Sequence, residues 1–552
     1  MKNIKNFDGL YFLPLGGSGE IGMNLNLYCY NNEWLMVDCG VTFTDEVGHD
    51  VIMPDPKFIT DNKKHLKGLV LTHAHEDHIG AIPYIWEQFR CPLYATPFTA
   101  EVIRRKLIEV GLLNEVTLNV IQLEHKVTVG SFEVEYIGLT HSIPEPNALA
   151  IRTPKGTILH TGDWKFDPDP IVGEKSNLSR LKEIGDEGVL ALVCDSTNVF
   201  EESQSASELQ VQNSLIELIS RQKKRVAVAL FASNVARLKS CLVAAQKNNR
   251  KACLVGRSLW RMYEISKNLG YLDGLPPVLK ENEGAKAPRH EILYLCTGSQ
   301  GEERAALSRI AKRTHPRIRL ESEDTVIFSS RVIPGNELEI FDLQNRLSRN
   351  NVHLIMDNNK NFTHVSGHPG RLELKEMYQL VRPQCLIPVH GEYRHMEEQA
   401  FLGRDCGIPQ QIVPHNGGII ELTQEGPKHV SDVHSGRIAL EGSRIVSLSS
   451  QHIQDRRYMM RTGAVALTLV IHKNGKVDEP FVSAVGITKD KQESDLLREH
   501  VFINLGESLR DLNDADILID EKLKETCRRA TRKATNFIFG IKPIVTTHVV
   551  RL

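Results

Sequence analysis

The 552-residue chain lacks most features that settle a function class at a glance. It has no long apolar run that approaches a membrane span, and its opening "MKNIKNFDGLYFLPLGG" has neither an apolar core nor a small-residue cleavage site, so the expected location is cytoplasmic. Its ten cysteines form no C-x-x-C pair, which excludes a thiolate metal site of that type and argues for buried free thiols rather than a disulfide framework. Charge of one sign is also missing: the net charge is −2, so bulk charge gives no hint of a nucleic-acid partner, although a local patch stays compatible with one. There is no internal repeat and no low-complexity tract. What remains is an ordinary globular composition, long enough for more than one domain.

One stretch invites a reading that the surrounding residues refuse. "LGGSGEIG" (15–22) fits G-x-G-x-x-G, and Asp38 follows at the spacing of a ribose-binding carboxylate. A dinucleotide site needs a helix after the glycines to receive a pyrophosphate. Here "LNLYC" alternates, Asn31-Asn32 supplies a turn, and "WLMV" resumes an extended run. The expectation is a hairpin, a tight glycine loop near a functional rim, Asp38 at a strand end beside it, and no nucleotide cofactor.

From residue 10 to about 200, short strands alternate with turns, and several end in His or Asp. Between 206 and 355 the rhythm becomes α/β: "SELQVQNSLIELISRQ" and "NVARLKSCLVAAQKNN" read as helices, "KRVAVALFAS" and "KACLVG" as buried strands. The first style returns at 361–425. One domain interrupted by another is the simplest account. The segment around 424–450 reads as a polar connector, and the last hundred residues as a small α/β unit.

The strongest signal is "LTHAHEDHIGAIP" (71–83), in which His73, His75, Asp77 and His78 form H-x-H-x-D-H after a buried strand. Four such donors cannot all face an apolar core unpaired, and imidazole with carboxylate suits zinc or manganese. His73 and His75 share one side of an extended segment and suit one ion, while Asp77 and His78 reach a second. Further donors stand beyond other strands: His141 in "IGLTHSIPE", Asp163 in "ILHTGDWKFD", where a carboxylate suits a bridge, and His390 in "LIPVHGE". His160 lies nearer its strand body and reads as a supporting residue.

H-x-H-x-D-H with a downstream His, Asp and His resembles the metallo-β-lactamase fold. The resemblance implies His73, His75 and His141 on one ion, Asp77, His78 and His390 on the other, and Asp163 between them. The inserted segment narrows this to the nucleic-acid-processing β-CASP branch. There "VCDSTN" places Asp195 in an acidic motif, "NFTHVSGHPG" supplies His364, Ser366 and His368, and "LFASNVAR", "VGRSLW" and "CTGSQGE" look like motifs of the inserted domain. The match covers nearly the whole chain and resembles the bacterial ribonuclease J family. The implied fold class is α/β: a metallo-β-lactamase αββα sandwich (1–205 and 356–425), an inserted α/β β-CASP domain (206–355), a linker (426–450) and a small C-terminal α/β domain (451–552).

By that resemblance the chain is a metal-dependent ribonuclease holding two divalent ions, zinc or manganese. It acts as a 5′-to-3′ exonuclease preferring 5′-monophosphate ends, also cuts internally, and works on single-stranded RNA in RNA maturation and decay. His368, Asp195 and His364 are the implied catalytic residues, with His364 and His368 on the scissile phosphate and Asp195 orienting a His or the water. Substrate contacts fall to Ser233, Asn234, Val235, His364, Val365, Ser366, Gly367 and His368. The C-terminal domain implies a homodimer or homotetramer, and an RNA-degradation complex is an expected partner. Arg331 and the basic stretch 522–533 are open between RNA contact and solvated surface. Three departures stand out: Pro369 follows HVSGH where Ala is usual, "SASE" replaces a Thr-containing helix opening, and 40–55 is short. A small-molecule hydrolase on the same fold needs neither the insert nor HVSGH, and a non-catalytic RNA-binding relative would not need the full donor set.

Overall fold

A computed structural model describes residues 7–46, 48–358, 360–473 and 476–552. The chain divides into two compact units, one of residues 1–43 and 51–435, the other of 44–50 and 436–552. The first unit holds two large sheets. One has eight strands in the order Gly426–Asp432, Gly418–Thr423, Leu10–Gly16, Leu25–Tyr30, Glu33–Val37, Leu66–Val70, Leu93–Ala95 and Leu118–Val120. The other has seven: Lys126–Val129, Phe132–Gly138, Asn147–Thr153, Gly156–His160, Ala191–Asp195, Cys385–Val389 and Gln410–Gln411.

The sheets meet through one apolar layer, where Phe12, Tyr28, Leu35, Val37 and Val70 face Phe132, Val134, Ile151, Val193 and Ile387. Helices cover the outer face of the second sheet, with Ile184, Met377, Tyr378 and Leu402 packed on Leu159, Leu192 and Leu386. Helices Ile82–Phe89 and Pro97–Val110 bury Ile85, Trp86, Phe98 and Val102. This is the expected αββα sandwich. In the second sheet, Gly156–His160, Ala191–Asp195 and Cys385–Val389 run parallel, so their C-terminal ends open on one rim.

The insert is a five-stranded parallel sheet in the order Lys251–Val255, Ile292–Cys296, Val226–Ala229, Thr325–Phe328 and His353–Ile355. All but the half-exposed edge strand His353–Ile355 are buried on both faces, which explains their unbroken apolar runs. Helices Glu208–Ser220 and Val235–Lys247 cover one side, where the sequence places them. Ser207 of "SASE" caps the first by accepting from Leu209 N at 3.1 Å, the task a threonine hydroxyl performs equally well.

The second unit packs helices Lys491–Arg510 and Asp520–Phe539 on a sheet ordered Phe481–Val485, Ala464–Ile471, Ile544–Arg551, around Leu467, Leu469, Val501 and Cys527. The last strand, parallel to Ala464–Ile471, was not foreseen from "IVTTHVVR". In the basic stretch, Lys524, Arg528 and Arg529 pair with Glu521 and Glu525 on their own helix, the pattern of a solvated face. Among the described residues no helix is long and apolar enough to cross a membrane. Nine of the ten cysteines are buried, and all are free.

The linker expected at 426–450 requires correction. Gly426–Asp432 is an edge strand antiparallel to Gly418–Thr423, and Arg437–Glu441 pairs with Arg444–Ser447 in a hairpin. An edge strand with solvated faces needs no apolar alternation, so its polar sequence imitates a connector.

Arg237, fully buried, ties the insert together. Its guanidinium donates to Ser329 O and Thr363 O at 3.0 and 2.9 Å and pairs with buried Glu208 at 3.2 Å. Replacing Arg237 by methionine leaves that carboxylate uncompensated, with an expected loss of about 3–5 kcal/mol. Urea denaturation of R237M against wild type measures it, and the double variant R237M/E208Q should recover part of the loss.

Candidate metal centre

His73 and His75 follow the strand Leu66–Val70, and a short helix Glu76–Ile79 then presents Asp77 and His78. From the second sheet, His141 follows Phe132–Gly138, Asp163 follows Gly156–His160, Asp195 ends Ala191–Asp195, and His390 follows Cys385–Val389. The rim thus gathers every donor the sequence put beyond a strand end. His73, His75, His141 and Asp163 form one group, Asp77, His78, Asp163 and His390 a second, with donor atoms in each within 4.8 Å of one another.

Asp163 belongs to both groups through different oxygens. Its Oδ2 lies 3.7 and 3.8 Å from the Nε2 atoms of His73 and His141, while its Oδ1 lies 3.2 and 3.8 Å from those of His78 and His390. His75 Nδ1 completes the first group at 3.1 Å from both His73 Nε2 and His141 Nε2, and Asp77 Oδ2 the second at 3.1 Å from His390 Nε2. Donors about 2.0–2.2 Å from a tetrahedral ion stand about 3.3–3.6 Å apart, close to these spacings.

Each imidazole turns one nitrogen inward because the other is occupied. His78 Nδ1 is 2.7 Å from Asp38 Oδ2, His390 Nδ1 2.8 Å from Thr197 Oγ1, His141 Nδ1 2.6 Å from Gly367 O, and His73 Nδ1 3.0 Å from Thr72 Oγ1. His75 is reversed, its Nε2 lying 3.3 Å from Ser142 Oγ. Such outer partners fix ring orientation and tautomer at metal sites. Asp38 also accepts from Thr72 N and Oγ1, which places it as a support for His78. His160 stays outside both groups, with Nδ1 2.8 Å from the Tyr28 hydroxyl.

The electrostatics fit divalent cations. Burial pushes His73 and His141 well below the usual imidazole range and His75 down to about 4, leaving them as neutral lone-pair donors. Burial also opposes charge on His78 and His390, but Asp163, Asp77 and the other nearby carboxylates outweigh it and raise both. Asp163, although buried, is held ionised by His390, His78 and His368, and its Oδ1 accepts no hydrogen bond of normal geometry. A buried carboxylate oxygen with no hydrogen bond of normal geometry, turned toward the ring nitrogens of His78 and His390, suits a metal ligand.

His368 stands beside the second group. Its Nδ1 is 2.7 Å from Asp195 Oδ2, its ring stacks on His390 at 5.6 Å, and Asp195 and Asp163 overcome burial to raise it to about 9. Asp195 therefore orients His368, and its Oδ1 also receives Thr197 N. The HVSGH turn closes over His141: a Cβ on Gly367 would lie 2.5 Å from His141 Cε1, so only glycine fits there.

His364 is not brought to the metal donors. It is half-buried, held neutral by burial and by Arg237 and Arg331, and it lines a cleft of about 750 Å³ with Val365, Ser366, Arg331, Asn198 and Phe362. Arg331 is engaged by Glu201 at 2.9 Å. Ser233, Asn234 and Val235 are not in that lining. Asn234 Oδ1 caps the helix Val235–Lys247, accepting from Arg237 N at 2.7 Å, and the Val235 side chain is fully buried. Their turn nevertheless reaches the rim, since Ala236 N donates to Ser142 O at 3.2 Å. Sequence reading missed Thr197, Asn198, Ser142 and Glu373. Glu373 accepts from Phe166 N, Ser205 N and Gly370 N and ties the HVSGH turn to the Asp163 loop.

The glycine loop also serves the centre. A strand, not a helix, follows it. Gly17 has φ +83°, its carbonyl accepts His390 N at 2.7 Å, and a Cβ there would lie 2.3 Å from Asn24 Oδ1.

Comparison with known proteins agrees with this geometry. Residues 24–228 match the metallo-β-lactamase superfamily, 223–347 the family described as "Ribonuclease J, beta-CASP domain", and 352–413 the "Zn-dependent metallo-hydrolase RNA specificity domain". The chain is 40% identical to "Ribonuclease J" of Sinorhizobium meliloti, over 98% of this chain and 97% of that one. The chain belongs to the ribonuclease J family. It is also similar to "Ribonuclease J 1" of Streptococcus pyogenes (38% identity, 88% of each chain) and to "Ribonuclease J" of Helicobacter pylori (33%, 99% of this chain and 80% of that one). A solved protein of unknown function from Enterococcus faecalis shares the fold, with a TM-score of 0.52 and 16% identity over 75% of this chain and 100% of that one. The family and the donor set together make the protein a metallo-hydrolase.

Asp38 has no contact with the inward face of the centre, yet it holds His78. Asp38→Asn is expected to weaken metal retention about 10–100-fold. Metal analysis after dialysis against graded chelator checks this, with circular dichroism confirming the fold.

Proposed function

We propose that the protein hydrolyses single-stranded RNA from the 5′ end, prefers 5′-monophosphate ends and also cuts internally, in cytoplasmic RNA maturation and decay. Two divalent ions, zinc or manganese, would be held by His73, His75 and His141, by Asp77, His78 and His390, and by Asp163 between them. The observation that carries this reading is the double-sided Asp163, one oxygen toward each donor group, beneath an inserted domain of the β-CASP type. Bound there, such ions supply Lewis-acid charge to a phosphate and lower the pKa of a water.

The chain's own residues supply the rest. His368 is oriented by Asp195 so that Nε2 is left for the substrate, where it holds a phosphate oxygen and returns a proton to the leaving 3′-oxygen. The Ser366–Gly367 turn, together with Ser233, would supply hydroxyl and amide groups for a terminal phosphate. His364, Val365 and Arg331 line the cleft beyond, which would seat nucleotides upstream or downstream of the cut. Single strands suit such a cleft because their bases are free to splay. The C-terminal unit is assigned to self-association as a homodimer or homotetramer, and an RNA-degradation complex is the expected wider partner.

Digestion of one RNA, labelled in turn at each end and bearing a 5′-mono- or triphosphate, tests the reading. Mononucleotides released from the 5′-monophosphate form are expected; release from the 3′ end overturns the direction. His75→Ala should abolish cleavage, and full activity in that variant would sink the metal-dependent reading. His368→Ala should lower kcat about 10²–10⁴-fold while metal content stays at the wild-type level.

A further inference from the structure

Away from the rim, a second kind of donor cluster stands on the edge of the first sheet. His415, His429 and Asp432 bring their ligand atoms within 4.8 Å of one another, all three exposed. We propose that these residues bind a further divalent transition-metal ion of the zinc class, which clips the edge strand Gly426–Asp432 to the turn at 415–418.

The chemistry is that of a borderline cation. Two imidazoles and one carboxylate form a donor set suited to zinc, with the remaining positions open to water. Both imidazoles aim the same atom at the same place: His415 Nε2 and His429 Nε2 lie 2.7 and 2.9 Å from Asp432 Oδ1, with ring centroids 5.3 Å apart. Separation of the donors by about 0.4–0.9 Å, within reach of exposed side chains, opens this triangle to coordination spacing. An ion pair alone is a weak reason for the arrangement, since exposed pairs contribute little and a single imidazole satisfies the carboxylate.

The backbone is shaped for the convergence. Residues three apart on a regular strand point to opposite faces, so His429 and Asp432 should diverge. A bulge prevents this. The register passes from Ile419↔Ser431 to Ile420↔His429, leaving Val430 unpaired and turning His429 onto the face of Asp432. On the partner side, Gly418 N donates to His415 O, and the missing side chain of Gly418 makes room for the ring, since a Cβ there would lie 2.8 Å from His415 Cε1. An ion would also steady the adjacent Asn416, which accepts Ser18 N and donates to Glu20 in the glycine loop.

The full-length protein, equilibrated with micromolar zinc and dialysed, is compared with His429→Ala and Asp432→Asn by elemental metal analysis. Each variant is expected to hold one zinc fewer per chain than wild type, with unchanged circular dichroism and unchanged RNA cleavage. Equal zinc content in wild type and variants overturns the proposal. So does a difference that appears only at millimolar zinc, which marks adventitious surface binding. Because the readout is a difference in metal count, it does not depend on the number of ions at the rim.

Discussion

A buried carboxylate with one oxygen turned to each of two donor groups sets the terms for the rest of the molecule. Asp163 is taken almost wholly out of water, and an uncompensated charge there costs several kcal/mol. Compensation has to arrive as positive charge among fixed donors, so each donor must be held in one orientation. The partners do this from outside: Asp38 for His78, Thr197 for His390, Gly367 for His141 and Asp195 for His368. Two of the backbone positions involved are themselves unusual, with Asp38 at φ +61° and His390 at φ +54°. Non-glycine residues rarely sit there, and the hydrogen bonds around them are what hold the conformation.

The sandwich and the insert are joined through the same constraint. The segment 363–370 gives its Thr363 carbonyl to buried Arg237 of the insert, its Gly367 carbonyl to His141, and its Gly370 amide to Glu373, whose carboxylate also receives Phe166 beyond Asp163. Asn198 bonds Ser366 and the His368 carbonyl from the loop after Asp195. A shift of the insert is therefore felt at the rim through backbone bonds. This couples the cleft lined by His364, whose wall includes Ser366, to the donors behind it.

The donors were legible because chemistry forced them into visible places. Three histidines and an aspartate within six residues have no apolar reading, and lone His or Asp residues after strands share a rim once the strands run parallel. The α/β rhythm of the insert was equally plain, since parallel strands buried on both faces keep unbroken apolar runs. What escaped were the residues whose role exists only in three dimensions. Thr197 and Asn198 look like any turn, Glu373 like any first-turn helix acid, and the Glu208–Arg237 pair is separated by 29 residues. Gly426–Asp432 passed for a linker because its edge position asks for no pattern. "LGGSGEIG" shows the reverse failure, a pattern complete in letters whose meaning lay in the strand after it and in the carbonyl that holds His390.

Pro369 is the departure that bears most directly on the HVSGH turn, and the hydrogen bonds around it explain why the turn accommodates it. His368 N is used by Ser366 Oγ at 3.2 Å, and Gly370 N by Glu373 Oε2 at 2.9 Å. The position between them has a backbone nitrogen with no hydrogen to give, and neither anchoring bond asks for one. Proline also fixes φ just ahead of the helix Arg371–Val381, which begins after Gly370, and it sits buried. Gly370 has its own constraint, because a Cβ there would lie 2.0 Å from Ser203 O. The Pro-Gly pair therefore stiffens the exit from the turn while leaving His368 and its bond to Asp195 as the geometry requires. The residue that differs from the familiar pattern acts on the entropy of the turn and not on its chemistry.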